Sequence, residues 1–315
     1  MFSLIVEMIH QPVLFNEVME GLAIQPDGIY VDGTFGRGGH SFGLLQRLGP
    51  SGRLMAIDKD PEAIAVGNDS QFRDPRFSII HDTFRNLEKA LKDRGWYGKV
   101  NGILLDLGVS SPQLDDATRG FSFKKDGPLD MRMNPKPGRG GNAATWINQA
   151  QENEIRWVLR HYGEERYAKR IAAAIVRARK RKPILRTLQL SQVIKEAIPY
   201  NKSKKHPATR TFQAVRIFIN HELEELQDCL PQSLEAIGKG GRLCIISFHS
   251  LEDRIVKRFI ESELRDPLPR EVPIISSEIK HRLKKIGALI QPSKLKIREN
   301  PRARSARLRI VEKVT

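Results

Sequence analysis

Four short apolar runs, each ending in a carboxylate or in glycines, constrain the fold of this chain most strongly. They lead into residues 31–40 (VDGTFGRGGH), 56–60 (AIDKD), 81–84 (HDTF) and 104–113 (LLDLGVSSPQ), and helix-like stretches follow. A parallel α/β sheet presents ligand groups in this way, at the carboxyl ends of its strands. The pattern predicts a nucleotide-like cofactor bound at that edge of a sheet.

The first of these loops indicates which cofactor the sheet binds. A dinucleotide site has the glycine order G-x-G-x-x-G, which lets the backbone approach a pyrophosphate. Here Gly36 and Gly38 are followed by Ser41, so the third glycine is missing, and Asp32 would repel a pyrophosphate. A carboxylate at this place suits the cationic amino-acid group of S-adenosylmethionine, which is therefore the predicted cofactor.

The next two segments offer groups for the rest of that cofactor. Asp58 ends the second predicted strand, residues 53–58, where a ribose diol needs a bidentate acceptor. Asp82 and Phe84 follow the third strand, where an adenine could stack on the ring and donate its amine to the acid. A glycine-rich turn alone is common for structural reasons, but four such segments in order favour a cofactor site.

The distribution of charge predicts a polyanionic partner. The formal net charge is +16 over 315 residues. The excess of Lys and Arg is concentrated in residues 160–216 and 270–315, whereas the remainder of the chain is mildly acidic. Basic groups that neutralise phosphates release counterions and so supply sequence-independent affinity. A cationic protein without such a partner would spread its charge more evenly, so we predict a nucleic-acid surface.

Several protein classes are disfavoured by the sequence. Cys229, Cys244 and the eight histidines show no paired spacing, so neither a disulfide framework nor a structural zinc site is predicted. The N-terminal apolar run is broken by Glu7 and lacks a basic region, so we predict no signal peptide. No apolar stretch has the length of a membrane span. We therefore expect a cytoplasmic protein, and its oligomeric state is left open.

The periodicity divides the chain into a discontinuous domain and an insertion. Residues 29–107 alternate strand and helix, and helical periods then replace the strand-like runs until residues 240–248 resume the α/β pattern. We predict an α/β domain formed by residues 1–114 and 207–315. Residues 115–206 form a predicted all-helical, basic insertion beside the carboxyl edge of the sheet, suited to RNA recognition.

Two helices and the closing strands can be placed from periodicity. A helix at residues 164–180 has one apolar face, which predicts core packing, and one basic face, which suits RNA contact as well as it suits solvent. A second long helix is predicted from about 210 to 225, and closing strands at 289–291 and 305–312. The arginines of the C-terminal region are expected to flank a nucleic-acid surface: Arg302, Arg304, Arg307 and Arg309.

Six longer motifs are far more specific than any glycine loop. They are residues 32–40 (DGTFGRGGH), 106–115 (DLGVSSPQLD), 119–123 (RGFSF), 127–132 (GPLDMR), 206–216 (HPATRTFQAVR) and 247–254 (SFHSLEDR). Together they resemble the ribosomal RNA small subunit methyltransferase H family, and the resemblance covers nearly the whole chain. It implies a class I, Rossmann-like methyltransferase sheet with an inserted helical domain. It also implies methyl transfer from S-adenosylmethionine to N4 of one cytosine in the decoding region of bacterial 16S rRNA.

The resemblance also implies which residues bind. By the family pattern, cofactor contacts fall on Gly38, Gly39, His40, Asp58, Phe84, Asp106 and Gln113, to which the glycine turn adds Gly36. The expected partner is the small-subunit rRNA or the small ribosomal subunit. The basic residues predicted to contact it are Arg166, Arg170, Arg177, Lys180, Lys204, Lys205 and Arg210.

The residues after the fourth strand bear on the reaction. Methylation of carbon 5 of cytosine needs a nucleophilic cysteine there, and Asp106-Leu-Gly108 has none, so a covalent mechanism is not predicted. An exocyclic amine needs only acceptors that hold its N–H groups for in-line attack. Asp106 is the first catalytic candidate, with Ser111 and His249 behind it. The alternatives are that Asp106 only binds cofactor and that His249 is a structural histidine at a strand end.

Two other functions stay open at the level of sequence. One is an NAD-dependent Rossmann enzyme, which the missing third glycine disfavours. The other is a non-catalytic ribosome-assembly or RNA-binding protein, which would keep the basic insertion but would not need Asp58. The sequence does not decide whether free RNA or an assembled subunit is the substrate, or in which order the substrate and the cofactor bind.

Overall fold

The computed structural model describes residues 12–135, 141–199, 206–264 and 281–315. The chain divides into two compact units, one formed by Met1–Gly108 with Leu223–Thr315 and the other by Val109–Glu222. The second unit therefore begins before residue 115 and ends after residue 206, the boundaries predicted from the sequence. Its C-terminal extension is a helix at Thr209–Asn220 that packs against a helix at Glu152–Gly163 of the same unit.

The strands of the described residues form one mixed sheet in the first unit. They are β1 Ile29–Asp32, β2 Arg53–Asp58, β3 Phe77–His81, β4 Val100–Asp106, β5 Ile237–Ser247, β6 Leu283–Lys285 and β7 Arg307–Lys313. Their order is β3-β2-β1-β4-β5-β7-β6. The first five strands are mutually parallel, and β7 runs antiparallel to β5 and β6. The order reverses beside β1, which makes the β1/β4 boundary a topological switch point.

Helices follow the strands in the first unit and form the second. In chain order the helices of the described residues are α1 Phe15–Gly21, α2 Gly39–Leu45, α3 Pro61–Gly67, α4 Leu87–Lys92, α5 Ser111–Asp115, α6 Ala143–Gln149, α7 Glu152–Gly163, α8 Ala168–Arg181, α9 Thr187–Ala197, α10 Thr209–Asn220, α11 Glu222–Ala236, α12 Ser250–Glu263 and α13 Lys294–Glu299. No helix in the described ranges is both long and apolar enough to cross a membrane.

The central strands are apolar on both faces because both faces are covered. Along β4, Ile103 and Leu105 belong to one buried cluster, and Leu104 between them belongs to another on the opposite face. The first cluster includes residues of α11 and α12, and the second includes residues of α1 and α2. Alternate residues of a strand point to opposite faces, so continuous apolar runs are typical of a parallel sheet covered on both sides.

The second unit has its own apolar core. Its buried residues come from α6 through α10 and from the connecting segments, which supply Phe121, Leu129, Met131, Met133 and Ile184. The large side chains Ile147, Ile155, Leu159, Ile171 and Ile175 are completely buried. The described part of this unit contains no strand, and its one β-type contact is an isolated bridge between Pro128 and Arg186. The helical periodicity of this part of the sequence therefore corresponds to helices that pack through their apolar faces.

Two helix predictions were wrong at their ends. The helix predicted from residue 164 begins at Ala168, because Glu164 has a left-handed backbone (φ 47°) that ends α7. The single helix predicted across 210–225 is two helices, α10 and α11, separated by His221 with φ 52°. In neither break is the left-handed residue a glycine, the residue that usually signals such a helix end, although Gly163 directly precedes Glu164.

The C-terminal prediction was right for one strand, and two of the four arginines form ion pairs within the fold. Strand β7 matches the predicted 305–312, whereas residues 289–291 contribute only a bridge from Ile290 to Leu308. Arg307 and Arg309 bind the carboxylate of Asp253 on α12, at 2.7 and 2.8 Å. Burial raises the pKa of Asp253, but hydrogen bonds from Arg309 and Arg307 outweigh it and lower that pKa. These two arginines therefore hold α12 to the sheet.

Candidate functional site

The glycine turn after β1 has a shape that side chains would prevent. Gly36 and Gly38 have φ values of 58° and 75°, in the left-handed region that favours glycine. A Cβ on Gly38 would also collide with the rings of Phe35 and Phe72. The turn ends where α2 begins at Gly39, and His40 follows in the first turn of that helix. The predicted cofactor loop is thus a tight backbone turn at the carboxyl end of β1.

Asp58, at the end of β2, faces this turn. Its Oδ2 accepts a hydrogen bond from the Gly36 N–H at 2.8 Å, and its Oδ1 accepts one from the Asp60 N–H at 2.8 Å. Burial raises the pKa of Asp58, and those two hydrogen bonds partly offset it. Each carboxylate oxygen has more than one lone pair, so both can still accept from a ribose diol. The acid beside the turn therefore offers the acceptors that the sequence predicted for a ribose diol.

The loop after β3 places Asp82 and Phe84 beside the same edge. Oδ1 of Asp82 accepts from the Thr83 N–H at 2.7 Å and from Asn86 Nδ2 at 2.8 Å, which leaves Oδ2 for another donor. Phe84 is partly buried and packs against the sheet cluster. It also lies near the first loop, since a Cβ on Gly33 would be 3.6 Å from the Phe84 Cβ.

The buried His40 and the partly buried Asp106 lie close together at the switch point. The His40 Nε2 is 3.6 Å from Asp106 Oδ2, and their side chains are 6% and 24% exposed. The Phe15 ring stacks over the imidazole at 6.0 Å between centroids. Both ring nitrogens of His40 and Oδ1 of Asp106 are buried without a hydrogen-bond partner among the described residues. Buried polar atoms are nearly always hydrogen-bonded, so these atoms are available to a polar ligand or a water at this point.

The sequence analysis did not predict the hydrogen bonds that hold the backbone of Asp106 in place. The Asp106 N–H donates to Thr34 Oγ1 at 2.6 Å, and the Thr34 N–H donates to Asp32 Oδ1 at 3.1 Å. Ser41 Oγ donates to the other oxygen of Asp32 at 2.7 Å. Asp32 was expected to attract a cationic group, but both of its oxygens are engaged by the loop itself. The D-x-T spacing after a strand was the available signal, because such side chains often bond the backbone two residues away.

His249 is placed at the end of β5 as the N-cap of α12. Its Nδ1 accepts from the Glu252 N–H at 3.3 Å, and its Nε2 lies 3.1 Å from Glu252 Oε1. The Phe248 N–H also donates to the Glu252 carboxylate, at 2.7 Å. This geometry matches the structural alternative for His249, a histidine at a strand end, and its catalytic role stays a prediction.

Ser111 and Gln113 belong to the second unit, at the start of α5. The Ser110 N–H donates to Gln113 Oε1 at 2.9 Å, which ties the side chain to the beginning of the helix. Gln113 is 6% exposed, and Ser111 is half-buried in the first turn. Of the predicted site residues, Ser111 and Gln113 therefore belong to the second unit, whereas Asp58, Phe84 and Asp106 belong to the first.

The basic residues of the second unit occupy exposed positions. Arg166, Arg170, Arg177 and Lys180 are exposed, and α8 has six basic residues and no acidic one. Arg210 is also exposed, and its guanidinium donates to the backbone oxygen of Glu164 at 3.1 Å. Lys204 and Lys205 lie outside the described residues. Helix α8 thus presents a basic face opposite its buried face of Ile171 and Ile175.

Comparison with known proteins gives a consistent result. The family described as the MraW methylase family matches residues 7–314. The chain is 71% identical over 306 residues to the Ribosomal RNA small subunit methyltransferase H of Coxiella burnetii (strain Dugway 5J108-111), covering 97% of this chain and 99% of that protein. With the protein of the same name from strain CbuG_Q212 the identity is 70%, with the same coverage.

Solved structures resemble the chain more distantly. An rRNA methylase from Streptococcus thermophilus has 13% identity and a TM-score of 0.43, covering 98% of this chain and 99% of that one. A SAM-dependent O-methyltransferase from Thermotoga maritima has 12% identity and a TM-score of 0.42, covering 99% and 70%. The strand order described above, and not these similarities, is the basis for assigning the fold.

Proposed function

The chain belongs to the MraW methylase family, and we propose that it methylates N4 of a cytosine in bacterial small-subunit (16S) rRNA, with S-adenosylmethionine as the donor. The observation that carries the substrate assignment is the 71% identity, over nearly the full length, to enzymes named for the small-subunit rRNA. The proposed substrate is the rRNA or the small ribosomal subunit, and the proposed location is the cytoplasm.

The residues at the strand ends fit this cofactor. Unpartnered buried atoms of His40 and Asp106 support a polar ligand beside the glycine turn, and Asp58 retains acceptor capacity for a diol. The residues that we propose to hold the cofactor are Gly36, Gly38, Gly39, His40, Asp58, Phe84, Asp106 and Gln113. When bound, the cofactor supplies an electrophilic methyl group on a sulfonium.

In the proposed mechanism, Asp106 holds the target amine. The amine of cytosine is conjugated with its ring, so an acceptor for its N–H groups favours the geometry that exposes the nitrogen lone pair. The carboxylate of Asp106 can accept such a hydrogen bond and take the proton released after transfer. Ser111 is a second candidate acceptor, and His249 is a weaker one because its Nδ1 already caps α12.

A covalent route through cysteine is disfavoured by the chemistry of both thiols. Cys229 and Cys244 are completely buried. Burial raises the pKa of Cys229 to about 12 and also raises the pKa of Cys244. A thiol attacks as its thiolate, so neither group is a competent nucleophile. The proposed attack by an exocyclic amine needs no such group.

The RNA contacts are assigned to the exposed basic residues of the second unit. We place phosphate contacts on Arg166, Arg170, Arg177, Lys180 and Arg210, and predict further ones at Lys204 and Lys205. Phosphate contacts fix position but do not identify a base. The cytosine must also leave its stack to reach the methyl group, and a distorted single-stranded region makes that step less costly.

The direct test labels the methyl group. The protein is incubated with labelled S-adenosylmethionine and small ribosomal subunits lacking modification, and the labelled nucleoside is then identified. We expect N4-methylcytidine. Label on carbon 5 or on a ribose would contradict the active-site assignment, and no label on either free rRNA or subunits would favour a non-catalytic RNA-binding protein.

The substitution Asp58→Ala separates the enzyme from its alternatives. We expect the dissociation constant for S-adenosylmethionine to rise at least about tenfold, because charge-assisted hydrogen bonds are lost. Calorimetry measures this, with Asp93→Ala as an exposed carboxylate control in the same unit. A binding protein would tolerate Asp58→Ala, and a thermal shift with NAD but none with S-adenosylmethionine would indicate a nicotinamide enzyme.

A further inference from the structure

Helix α7 presents a pair of stacked rings that the roles described above do not use. The Trp157 side chain is 49% exposed, and it is the only aromatic among the large apolar side chains that the described residues leave exposed. The His161 ring lies one helical turn further on, with its centroid 4.4 Å from that of the indole and the planes at 23°. An indole is a large, flat apolar group, and half of it is accessible to a partner at this position.

The fold fixes both rings in this arrangement. Nδ1 of His161 donates a hydrogen bond to the Trp157 carbonyl oxygen at 2.8 Å, which sets the orientation of the imidazole. The Tyr162 ring packs edge-on against the indole, at 5.4 Å and 80°. Tyr162 in turn contacts Phe218 of α10. A partner that binds here meets a preorganised surface and does not have to immobilise two free side chains.

The charges around the rings are suited to a phosphate backbone. Arg156 and Arg160 are exposed on α7, and neither has an ion-pair partner in the described part of the chain. The acidic residues of the helix, Glu152 and Glu154, lie in its first turn. The Glu154 carboxylate also accepts a hydrogen bond from Trp146 Nε1 at 2.6 Å. The ring pair is therefore accompanied by two arginines whose charge is available to a ligand.

We propose that the Trp157–His161 pair is a stacking platform for an unpaired base of the RNA substrate, and that Arg156 and Arg160 contact the adjoining phosphates. The inference rests on the proposed function, since it requires an RNA substrate. Proteins that bind single-stranded RNA stack splayed bases on aromatic rings and follow the backbone with basic groups. Every base has a π-face, so this platform adds affinity for a flanking nucleotide and does not select the cytosine to be methylated.

The first test compares steady-state kinetics with small ribosomal subunits as substrate. We expect Trp157→Ala to raise the KM for subunits about tenfold, as is typical for the loss of one base stack. The kcat and the dissociation constant for S-adenosylmethionine stay within twofold, and Trp157→Phe recovers most of the affinity. The matched control is Leu185→Ala, which truncates a 56% exposed apolar side chain in the same unit. Equal KM effects from both truncations would overturn the proposal.

The second test observes the indole directly. The chain has three tryptophans, so the variant with Trp96→Phe and Trp146→Phe leaves Trp157 as the sole tryptophan. Titration with rRNA is expected to quench its emission, with half-saturation near the KM. If this variant does not fold, the difference in quenching between the wild-type chain and Trp157→Phe gives the same information.

The outcomes separate this inference from the proposed function. If the wild-type protein methylates neither rRNA nor subunits, the proposed function fails. If it methylates them but Trp157 emission is unchanged on RNA binding, the platform alone is overturned. A shift from dimer to monomer in sedimentation of Trp157→Ala without RNA would also overturn it, because the rings would then lie between two copies of the chain.

Discussion

At the residue scale, the carboxylate of Asp32 shows how burial supports the site. Its side chain is 1% exposed and accepts hydrogen bonds from Ser41 and Thr34, and Thr34 in turn accepts one from the backbone of Asp106. Burial raises the pKa of Asp32 to about 6, although the Ser41 and Thr34 hydrogen bonds oppose it. The group that positions Asp106 is therefore one whose ionisation opposes folding near neutral pH.

We expect Asp32→Asn to remove a pH dependence of stability. The folded pKa of about 6 lies above the unfolded value of about 4. The folded state thus keeps a proton that the unfolded state has lost, and stability falls as pH rises through this window. The amide does not ionise, so the variant gains up to about 3 kcal/mol relative to wild type between pH 4 and 7. Urea unfolding at several pH values measures the free energy of unfolding of both proteins. A constant difference between the two across this pH range would contradict the prediction.

At the element scale, the break between α10 and α11 depends on one strained residue. His221 has φ 52°, a left-handed conformation that costs a non-glycine residue about 1–2 kcal/mol. Apolar residues recur at helical spacing on both sides of the break, so periodicity alone predicts one continuous helix. Tertiary packing holds α10 against α7, and the chain must leave α10 at this residue.

We expect glycine to have opposite effects on the two sides of this break. His221→Gly relieves the left-handed strain and raises the free energy of unfolding by about 0.5–1 kcal/mol, less than the full strain because glycine gains entropy when unfolded. Gln227→Gly, at an exposed position inside α11, lowers it by about 1 kcal/mol. Denaturant midpoints of both variants test this. Destabilisation by both would mean that the His221 side chain outweighs its backbone strain.

At the scale of the whole molecule, the distribution of positive charge supports the proposed binding of RNA. The net charge of +16 is carried partly by α8, which has no acidic residue, while the C-terminal residues Arg307 and Arg309 are ion-paired with Asp253. The net charge alone therefore overstates the number of basic side chains that are available to RNA. The exposed face of α8 is the more direct candidate, because its basic side chains lie opposite the buried Ile171 and Ile175.

We expect replacement of Arg170 and Arg177 by alanine to weaken RNA binding and leave cofactor affinity unchanged. Each phosphate contact with a single strand contributes about 0.7 to the slope of log affinity against log salt, so the slope falls by about 1.4. Titrations of labelled rRNA at several salt concentrations measure the slope. Replacing Lys89 and Lys239, both exposed in the first unit, controls for net charge. Equal slope changes, or loss of both affinities, would contradict a specific role for α8.

The sequence by itself determined the parts of this protein that depend on local pattern. Apolar runs ending in acids located β1, β2 and β4, with β2 at residues 53–58 as predicted. Helical periods located the second unit, and long motifs indicated the family. These features follow from side-chain periodicity and from residues next to one another in the chain, so no tertiary information is needed to read them.

The tertiary structure alone decided which of these residues meet. It brought His40 to 3.6 Å from Asp106 and linked Asp32 to the Asp106 backbone through Thr34. It also paired Arg307 and Arg309 with Asp253. It also placed the left-handed residues Glu164 and His221 directly after α7 and α10. The physical reason is that burial, ion pairing and left-handed strain depend on groups distant in sequence, and their energies exceed the local preferences that a sequence displays.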